Sequence, residues 1–211
     1  MEKSKQYRDE RAEVARFMRR LYRQGLTTTS GGNISLRIND DIVAITPSAT
    51  DKGRMKWKEV ALVTVTGELV TGEMKPSIET EMHLSVYRKK NVSAIVHAHP
   101  VFATSFTAMK NTIDTTLIAE ACAILGTPLL VPYALMGSSA LAAVVSEHSL
   151  RSDVLLLENH GILATGSNLL QAFDRIEVLE NAARMTVIVR MMGRKTGLSS
   201  GKIDEINRLF R

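Results

Sequence analysis

Two histidines, spaced two positions apart, end an apolar segment of the chain. His97 and His99 lie in AIVHAHP (94–100). In a β-strand, residues i and i+2 project from the same face, so these two imidazoles can converge on one point. Imidazole nitrogen binds zinc well, and a catalytic zinc typically has three protein ligands and one open position. The pair therefore predicts two ligands of a metal site.

The chain offers further candidates for the remaining ligands. His160 follows the apolar segment VLLL within a few residues, so it is expected on a turn at the edge of a sheet. In KPSIETEMH, Glu79 and Glu81 open a predicted helix, where acidic residues also complement the helix dipole. Spacing does not choose between these glutamates, and it leaves open His83, which lies one helical turn after Glu79.

Composition predicts a single globular domain over 1–211. The 211 residues are 45% hydrophobic, which allows one sizeable core, and a domain typically takes ~100–200 residues. The net charge is +5, but the basic residues are spread along the chain, which disfavours a nucleic-acid partner. Positive potential suits a small anionic substrate such as a sugar phosphate.

The cysteine content and the charged beginning of the chain bear on its location. Cys122 is the only cysteine, so an intrachain disulfide is excluded and a reducing compartment is expected. Residues 1–25 lack the apolar stretch of a signal peptide. No segment approaches the ~20 apolar residues of a membrane span. We therefore expect a cytoplasmic protein with no membrane partner.

Helix and strand patterns alternate irregularly along the chain. Apolar spacing predicts an opening helix over 2–24, ended by Gly25, and a long helix over 169–192, capped by Asn168 and Gln171. Shorter helices are expected in SIETEMHLSVYRKKN, entered through Pro76, in VFATSFTAMK and in SALAAVVSEH. Several predicted strands are joined too tightly for parallel crossovers. The expected fold class is α/β, with a mainly antiparallel central sheet covered by helices on both faces.

Five short motifs occur in an order and at intervals that resemble one known family. They are SGGNIS (30–35), ITPSA (45–49), KPSIE (75–79), VHAHP (96–100) and ENHG (158–161). Together they are similar to the class II aldolase/adducin-head family over about residues 8–190. Within that family, the chain is most similar to enzymes that cleave L-fuculose 1-phosphate. Each motif is weak alone, but five in register are specific.

The resemblance implies a zinc site with one Zn²⁺ per subunit. The family pattern makes His97, His99 and His160 zinc ligands and makes Glu79 the carboxylate ligand of the resting metal. Glu79 would then serve as the catalytic base that removes a proton from the bound ketose. Three neutral imidazoles and one carboxylate leave a net positive centre, which suits substrate oxygens that gain negative charge.

The resemblance also implies a pocket for the substrate phosphate. The corresponding residues are Gly32, Asn33, Ser48, Ala49, Ser77 and Ile78. Glycine lets backbone N–H groups approach an anion closely, and the asparagine and serine side chains offer uncharged hydrogen bonds. Ile78 departs from the family, which commonly has a second serine there. One phosphate contact is therefore expected to be missing or to come from the backbone.

A second departure concerns the general acid. Family members carry a tyrosine that reaches in from a neighbouring subunit, where this chain has Ile118, and Phe210 stands where a second tyrosine is expected. Glu120 is the candidate replacement, and the alternative is a solvated or helix-capping carboxylate. Tyr133 carries another hydroxyl group that the family pattern places near the site. We expect its role to be structural.

The implied function is zinc-dependent retro-aldol cleavage of a ketose 1-phosphate into dihydroxyacetone phosphate and an aldehyde such as lactaldehyde. The family also implies a homotetramer with active sites at the subunit interfaces. The missing tyrosine keeps a second hypothesis open: a pentulose-phosphate 4-epimerase, or a related phosphate-sugar decarboxylase or dehydratase, on the same zinc site. The dehydratase is disfavoured because its glutamate is expected at position 118. A non-catalytic, adducin-head-like assembly domain is disfavoured because it does not need the metal ligands that this chain retains.

Overall fold

The computed structural model describes residues 7–109, 112–193 and 196–210. Within these ranges the chain forms one eight-stranded sheet and seven α-helices. The strands are β1 (Asn33–Arg37), β2 (Ile42–Ile45), β3 (Ala61–Thr64), β4 (Leu69–Thr71), β5 (Ala94–Ala98), β6 (Leu129–Val131), β7 (Val154–Leu157) and β8 (Gly161–Gly166). The helices are α1 (Arg8–Arg23), α2 (Thr80–Lys89), α3 (Val101–Thr107), α4 (Ala119–Leu125), α5 (Ser139–Ser149), α6 (Leu169–Met191) and α7 (Ser200–Phe210).

The sheet is antiparallel except at one edge. Its strand order is β4-β3-β2-β1-β5-β8-β7-β6, and among the described strands only β6 and β7 run parallel. Strand β5 lies near the centre of the sheet, between β1 and β8. The predicted α/β fold with a mainly antiparallel sheet is confirmed.

Helices cover both faces of the sheet, as the sequence predicted. On β5, Val96 belongs to a core shared with α1, α3, α4 and α6, whereas Ile95 belongs to a second core shared with α2 and α5. Because the side-chain period of a strand is two, His97 shares the face of Ile95. The imidazole of His97 therefore points to the side of the sheet that α2 covers.

The two long helices end close to the predicted positions. Helix α1 ends just before Gly25, which has a positive φ of 69°, and residues 2–6 of the predicted helix lie outside the described residues. Helix α6 begins after Asn168, whose side chain accepts a hydrogen bond from the backbone N–H of Gln171 at 2.9 Å. Across the described part of the chain, every helix falls short of the length or the apolar character that crossing a bilayer requires.

Helix α2 begins later than predicted. The sequence predicted that Pro76 opens the helix, but Pro76 forms an isolated bridge to the loop after β2, and the helix begins at Thr80. The backbone N–H of Ser77 donates to the carbonyl oxygen of Thr46 at 3.2 Å, which ties this segment to the sheet. Glu79 therefore stands immediately before the helix and not inside its first turn.

The short helices were predicted less well than the long ones. The predicted helix VFATSFTAMK forms α3 only as far as Thr107, and Lys110 lies outside the described residues. The sequence did not predict α4 in TTLIAEACAILG, because seven residues are too few for a helical period to stand out.

A buried carboxylate joins α3 to α6. Glu180, on α6, is 5% exposed, and its carboxylate accepts hydrogen bonds from the backbone N–H groups of Phe102 and Ala103 at 3.1 and 2.8 Å. These N–H groups belong to the first turn of α3, where no intrahelical acceptor exists and negative charge is favoured. Because α3 begins two residues after His99, the contact fixes the chain where it leaves β5.

We expect Glu180→Ala to lower the free energy of unfolding by about 2–3 kcal/mol, because one buried and one partly buried N–H group lose a charged acceptor. Glu177→Ala is the matched control on the same helix. The Glu177 carboxylate pairs with Arg20 in a partly exposed ion pair, and its loss should cost less than about 1 kcal/mol. Urea denaturation followed by circular dichroism measures both values. Equal losses in the two variants would contradict the role assigned to Glu180.

Candidate metal centre

Three histidines from two segments of the chain meet at one end of the sheet. His97 is the fourth residue of β5, His99 follows the end of that strand, and His160 is the last residue of the turn between β7 and β8. Strands β5 and β8 pair with Ala98 opposite Ile162, so this turn lies beside the end of β5. Strand pairing therefore brings together the three histidines that the sequence singled out.

The three imidazoles are in mutual contact. One nitrogen atom of each ring lies within 4.8 Å of the others, and Nε2 of His97 is 3.1 Å from Nε2 of His99. On its other side, Nδ1 of His97 is 2.9 Å from the carbonyl oxygen of Ile162. Because a carbonyl oxygen only accepts hydrogen bonds, Nδ1 of His97 carries the proton and donates a hydrogen bond to the Ile162 carbonyl. Nε2 of His97 therefore presents its lone pair to the centre of the cluster.

Glu79 completes the cluster from the side of α2. Its side chain is buried, with Oε2 3.3 Å from Nε2 of His97 and Oε1 3.2 Å from Nε2 of His160. Oε2 also accepts a hydrogen bond from the side-chain amide of Asn33 at 2.8 Å. Oε1 is buried and has no hydrogen-bond partner within the described chain. The two carboxylate oxygens thus have different surroundings.

The other two candidates for the fourth ligand lie elsewhere. Glu81 forms an ion pair with Arg88 at the surface of α2. His83 is fully buried, but its Nε2 lies 2.6 Å from Oδ1 of Asn33 and not beside the three histidines. Of the three side chains that spacing left open, Glu79 is the one that contacts the cluster.

Burial controls the protonation of these groups. Loss of hydration lowers the pKa of His97, and, together with the neighbouring imidazoles, it lowers the pKa of His99 to about 3. Burial opposes the ionisation of Glu79, but His97, His160 and the Asn33 amide outweigh it and hold the pKa of this carboxyl below its usual range. Neutral imidazoles and an ionised carboxylate are the forms in which these side chains bind a metal.

The cluster fits a divalent metal ion. Two ligands of a tetrahedral zinc stand about 3.3 Å apart when the Zn–N bonds are about 2.0–2.1 Å long. The Nε2 atoms of His97 and His99 are 3.1 Å apart, and the nearer carboxylate oxygen of Glu79 lies 3.3 Å from Nε2 of His97 and 3.2 Å from Nε2 of His160, Oε2 in the first case and Oε1 in the second. Within the described chain, Oε1 of Glu79 and Nδ1 of His160 are buried without a hydrogen-bond partner, and such atoms are rare in native proteins unless water or an ion serves them. Three nitrogens and one oxygen form a donor set that suits zinc.

The loops expected to bind phosphate lie beside one another. Oγ of Ser48 donates to the carbonyl oxygen of Pro76 at 3.1 Å and accepts from the backbone N–H of Ile78 at 2.9 Å. Oγ of Ser77 accepts from the backbone N–H of Glu79 at 3.2 Å. The side chain of Ile78 is exposed but apolar, so it cannot hydrogen-bond to phosphate. Its backbone N–H already donates to Ser48.

Backbone conformation distinguishes two other residues of these loops. Gly32 has φ 66°, and a Cβ there would stand 2.8 Å from the carbonyl oxygen of His97, so no side chain fits at this position. Ala49 also has a positive φ, 52°, which is uncommon for a residue other than glycine. The side-chain amide of Asn33, by contrast, faces Glu79 and His83. In this structure Asn33 therefore supports the carboxylate and is not turned to an open anion site.

The candidates for the general acid, and the two residues that replace the family tyrosines, are not among the hydrogen-bond or ion-pair partners of Glu79 in the described chain. Glu120 is exposed in the first turn of α4, and Ile118 immediately precedes this helix and packs against the core. Phe210 lines a groove together with residues of α4 and α6. Tyr133 is exposed in the loop after β6. Within the described chain, the hydrogen bonds and ion pairs of Glu79 go to other residues.

Lys52 was missed by the sequence analysis. This lysine is 1% exposed, its Nζ donates to the carbonyl oxygen of Pro47 at 2.6 Å, and its backbone N–H donates to the carbonyl oxygen of Thr29 at 2.9 Å. Burial lowers its pKa to about 8, against the opposing effect of Glu59. It joins the loop before β1 to the loop after β2. No pattern marked it, because lysine is ordinarily solvated.

Comparison with known sequences places the chain among lyases. The family model described as Class II Aldolase and Adducin N-terminal domain matches residues 12–187. The chain is 35% identical to an L-fuculose phosphate aldolase of Methanococcus vannielii, over 84% of this chain and 95% of that protein. It is 33% identical to a 3-oxo-tetronate 4-phosphate decarboxylase of Haemophilus influenzae, over 79% of this chain and 81% of that protein. It is 30% identical to a 5-deoxy-D-ribulose 1-phosphate aldolase of Bacillus thuringiensis serovar kurstaki, over 95% of both chains.

Comparison with solved structures gives the same assignment. An L-fuculose 1-phosphate aldolase superposes with a TM-score of 0.88 at 29% identity, and the match covers 96% of both chains. The L-fuculose-1-phosphate aldolase of Thermus thermophilus superposes with a TM-score of 0.78 at 27% identity, covering 90% of this chain and all of that one. Sequence, fold and the histidine cluster agree. The chain therefore belongs to the Class II Aldolase and Adducin N-terminal domain family, as one of its metal-dependent lyases.

Proposed function

We propose that the protein is a zinc-dependent aldolase that cleaves L-fuculose 1-phosphate, or a close analogue, into dihydroxyacetone phosphate and an aldehyde such as lactaldehyde. The observation that carries this proposal is the contact of Glu79 with His97 and His160, because it joins a buried carboxylate base to a metal-binding trio. Relatives named for L-fuculose phosphate and for 5-deoxy-D-ribulose 1-phosphate support a ketose 1-phosphate as substrate.

Zinc would be held by His97, His99, His160 and Glu79, with one ion per subunit. When bound, zinc supplies a Lewis acid that stabilises negative charge on the carbonyl and hydroxyl oxygens of the ketose. The protein fixes the orientation of the ligand side chains. The hydrogen bond from Nδ1 of His97 to the Ile162 carbonyl fixes the ring and its tautomer.

Cleavage breaks the bond between C3 and C4 of the ketose. The C4 hydroxyl loses its proton and becomes the aldehyde carbonyl, and the electron pair of the broken bond moves to C3. C3 then takes up a proton, which completes dihydroxyacetone phosphate. We assign Glu79 to this second proton: the ionised carboxylate removes it from C3 in condensation, and in cleavage the carboxyl, protonated beforehand by solvent water, returns it to C3. Its Oε1, which lacks a hydrogen-bond partner within the described chain, is able to hold it.

The substrate phosphate would bind where loops 31–33, 48–49 and 77–78 approach one another. Ser48 and Ser77 supply hydroxyl groups, and the conformation of Gly32 permits close approach to the backbone. The buried ammonium of Lys52 donates to the carbonyl oxygen of Pro47, the residue before Ser48, and adds positive charge near this loop. Asn33 donates to Glu79, so a contact with phosphate would require its amide to change partners.

Glu120 is our candidate for the acid–base group at the C4 oxygen. It would act across a subunit interface in a homotetramer, because it is exposed on α4 and a neighbouring subunit can therefore approach it. Its position two residues after Ile118, where the family has a tyrosine, motivates the assignment. A cytoplasmic location accords with Cys122 as the one cysteine of the 211-residue sequence, which excludes an intrachain disulfide.

A decarboxylase is the second candidate, and one observation favours it. The chain is 33% identical to a 3-oxo-tetronate 4-phosphate decarboxylase. Loss of CO₂ from such a 3-oxo acid leaves an electron pair beside a ketone, as aldol cleavage does, and it also gives dihydroxyacetone phosphate. No hydroxyl proton has to be removed, so an apolar Ile118 in place of the family tyrosine does not hinder this reaction.

Removal of the metal should abolish the release of dihydroxyacetone phosphate from L-fuculose 1-phosphate, because the developing negative charge would lose its counter-ion. Zinc added back to the chelator-treated protein should restore the rate. A coupled assay for dihydroxyacetone phosphate and elemental analysis of the same samples measure both. Full activity in metal-free protein would rule out the proposal.

Glu79→Gln should lower kcat for cleavage by about 10²–10⁴-fold, because the amide cannot carry a proton at the reacting carbon. Glu81→Gln is the matched control, since this side chain is two residues away and pairs with Arg88 at the surface. It should leave kcat unchanged. Comparable losses in both variants would mean that the segment before α2, and not the Glu79 carboxylate, is responsible.

Glu120→Gln should separate the two candidate reactions. If Glu120 serves the C4 oxygen, the variant should lose about 10²-fold or more in ketose cleavage and retain any decarboxylation of 3-oxo-tetronate 4-phosphate. Glu147→Gln, on the surface of α5, controls for the loss of an exposed carboxylate. Wild-type protein that releases CO₂ from the 3-oxo acid but cleaves no ketose 1-phosphate would establish the decarboxylase instead.

A further inference from the structure

A buried chain of hydrogen bonds runs from the core to Glu79. Oη of Tyr87 lies 2.8 Å from Oγ of Ser35, which lies 2.7 Å from Nδ1 of His83. Nε2 of His83 lies 2.6 Å from Oδ1 of Asn33, whose Nδ2 donates to Oε2 of Glu79 at 2.8 Å. All five side chains are buried. The chain connects strand β1 with helix α2 directly behind the metal centre.

The direction of every bond in this chain follows from its last member. The carboxylate of Glu79 only accepts, so the amide N–H of Asn33 faces it and Oδ1 of Asn33 faces His83. Because Oδ1 also only accepts, Nε2 of His83 carries the proton. The ring is fully buried, and none of the described carboxylates hydrogen-bonds to it, so it is neutral and its Nδ1 accepts. Ser35 therefore donates to His83. Tyr87 Oη lies 3.5 Å from the Ser93 carbonyl oxygen but only 2.8 Å from Oγ of Ser35, so its proton is directed mainly to Ser35.

We propose that this chain decides which oxygen of Glu79 carries the proton during catalysis. His83, as an Nε2–H donor, turns the Asn33 amide so that its N–H holds Oε2, and this leaves Oε1 as the reacting atom. The side chains of His83 and Tyr87 do not touch the histidine cluster, so they are positioning residues. The inference rests on the proposed function, because it concerns the base of that reaction.

The chain positions the carboxylate and does not conduct protons. An amide such as that of Asn33 cannot accept a proton at one end and release another at the other end without passing through a high-energy imidic acid. It can, however, fix a neighbour, because its N–H and C=O ends are not interchangeable. If His83 lost its donor, the amide could rotate, and Oε2 would lose the group that distinguishes it from Oε1. The base would then sample misaligned orientations, which lowers kcat.

The tautomer of His83 can be measured without substrate. Long-range ¹H–¹⁵N correlation spectra of protein labelled with [¹⁵N]histidine, assigned with His83→Gln, should show a neutral ring protonated at Nε2. In Ser35→Ala and Tyr87→Phe, which remove the donors behind Nδ1, the Nδ1–H tautomer should gain population. A ring protonated at Nδ1 in the wild type would overturn the proposal.

Kinetics of the zinc-loaded enzyme test the consequence. His83→Leu should lower kcat by about 10–100-fold, as expected when a partner of a metal-site residue is lost. The KM for the ketose phosphate and the inhibition constant of inorganic phosphate should change far less than kcat, because Ser48 and Ser77, which supply the hydroxyl groups of the proposed phosphate site, lie outside the chain. His83→Gln, whose amide can place an N–H near the former Nε2, should recover much of the loss.

Val86→Ala controls for a loosened α2, because Val86 is fully buried on the same helix but is not part of the chain. A wild-type kcat in His83→Leu would overturn the proposal, as would an equal loss of kcat in Val86→Ala. Wild-type protein that cleaves no ketose phosphate would contradict the proposed function. The histidine spectra, recorded without substrate, would still decide the direction of the chain.

Discussion

The structure depends on keeping one carboxylate out of water. A buried carboxylate is costly unless it is hydrogen-bonded and paired; Glu79 accepts the Asn33 amide on one oxygen and lies beside the histidine nitrogens with which it would share a metal cation. Strands β1 and β5 supply two of these partners together, because Asn33 is paired opposite His97 in the sheet. A slip of one residue between these strands would place the two side chains on opposite faces of the sheet. The register of the central strands and the metal centre therefore specify each other.

Much of the centre could be predicted from local rules. The strand period places His97 and His99 together, and an apolar strand ending in a turn places His160 at the edge of the sheet. The rest depended on contacts between distant residues. Asn33 and Glu79 are 46 positions apart, so no local pattern distinguished an amide that holds a carboxylate from one that binds phosphate. The predicted start of α2 was wrong for the same reason. Pro76 favours the first turn of a helix, but it forms a bridge to the loop after β2 instead.

The departures from the family pattern lie where the chemistry of the relatives diverges. Aldol cleavage and decarboxylation both leave an electron pair beside a ketone, so both can use the same metal centre and the same Glu79. They differ in what leaves, and only the aldehyde requires a proton to be taken from a hydroxyl group. Ile118, packed against the core before α4, cannot serve that step. Under the proposed function, the groups at the end of the substrate far from its phosphate decide between the two reactions.

The donor atoms of the centre are nitrogen and oxygen alone. The single cysteine of the chain, Cys122, is buried in α4 and is not part of the cluster. Without thiolate, the site lacks the soft ligand by which many proteins favour zinc over harder ions, and cobalt, manganese or ferrous iron can compete through geometry and supply. The site also lacks a thiolate sulfur, which is the atom that oxidants attack first. An oxidant would therefore find no thiolate among these donors, and the choice of ion rests on geometry and supply and not on ligand softness.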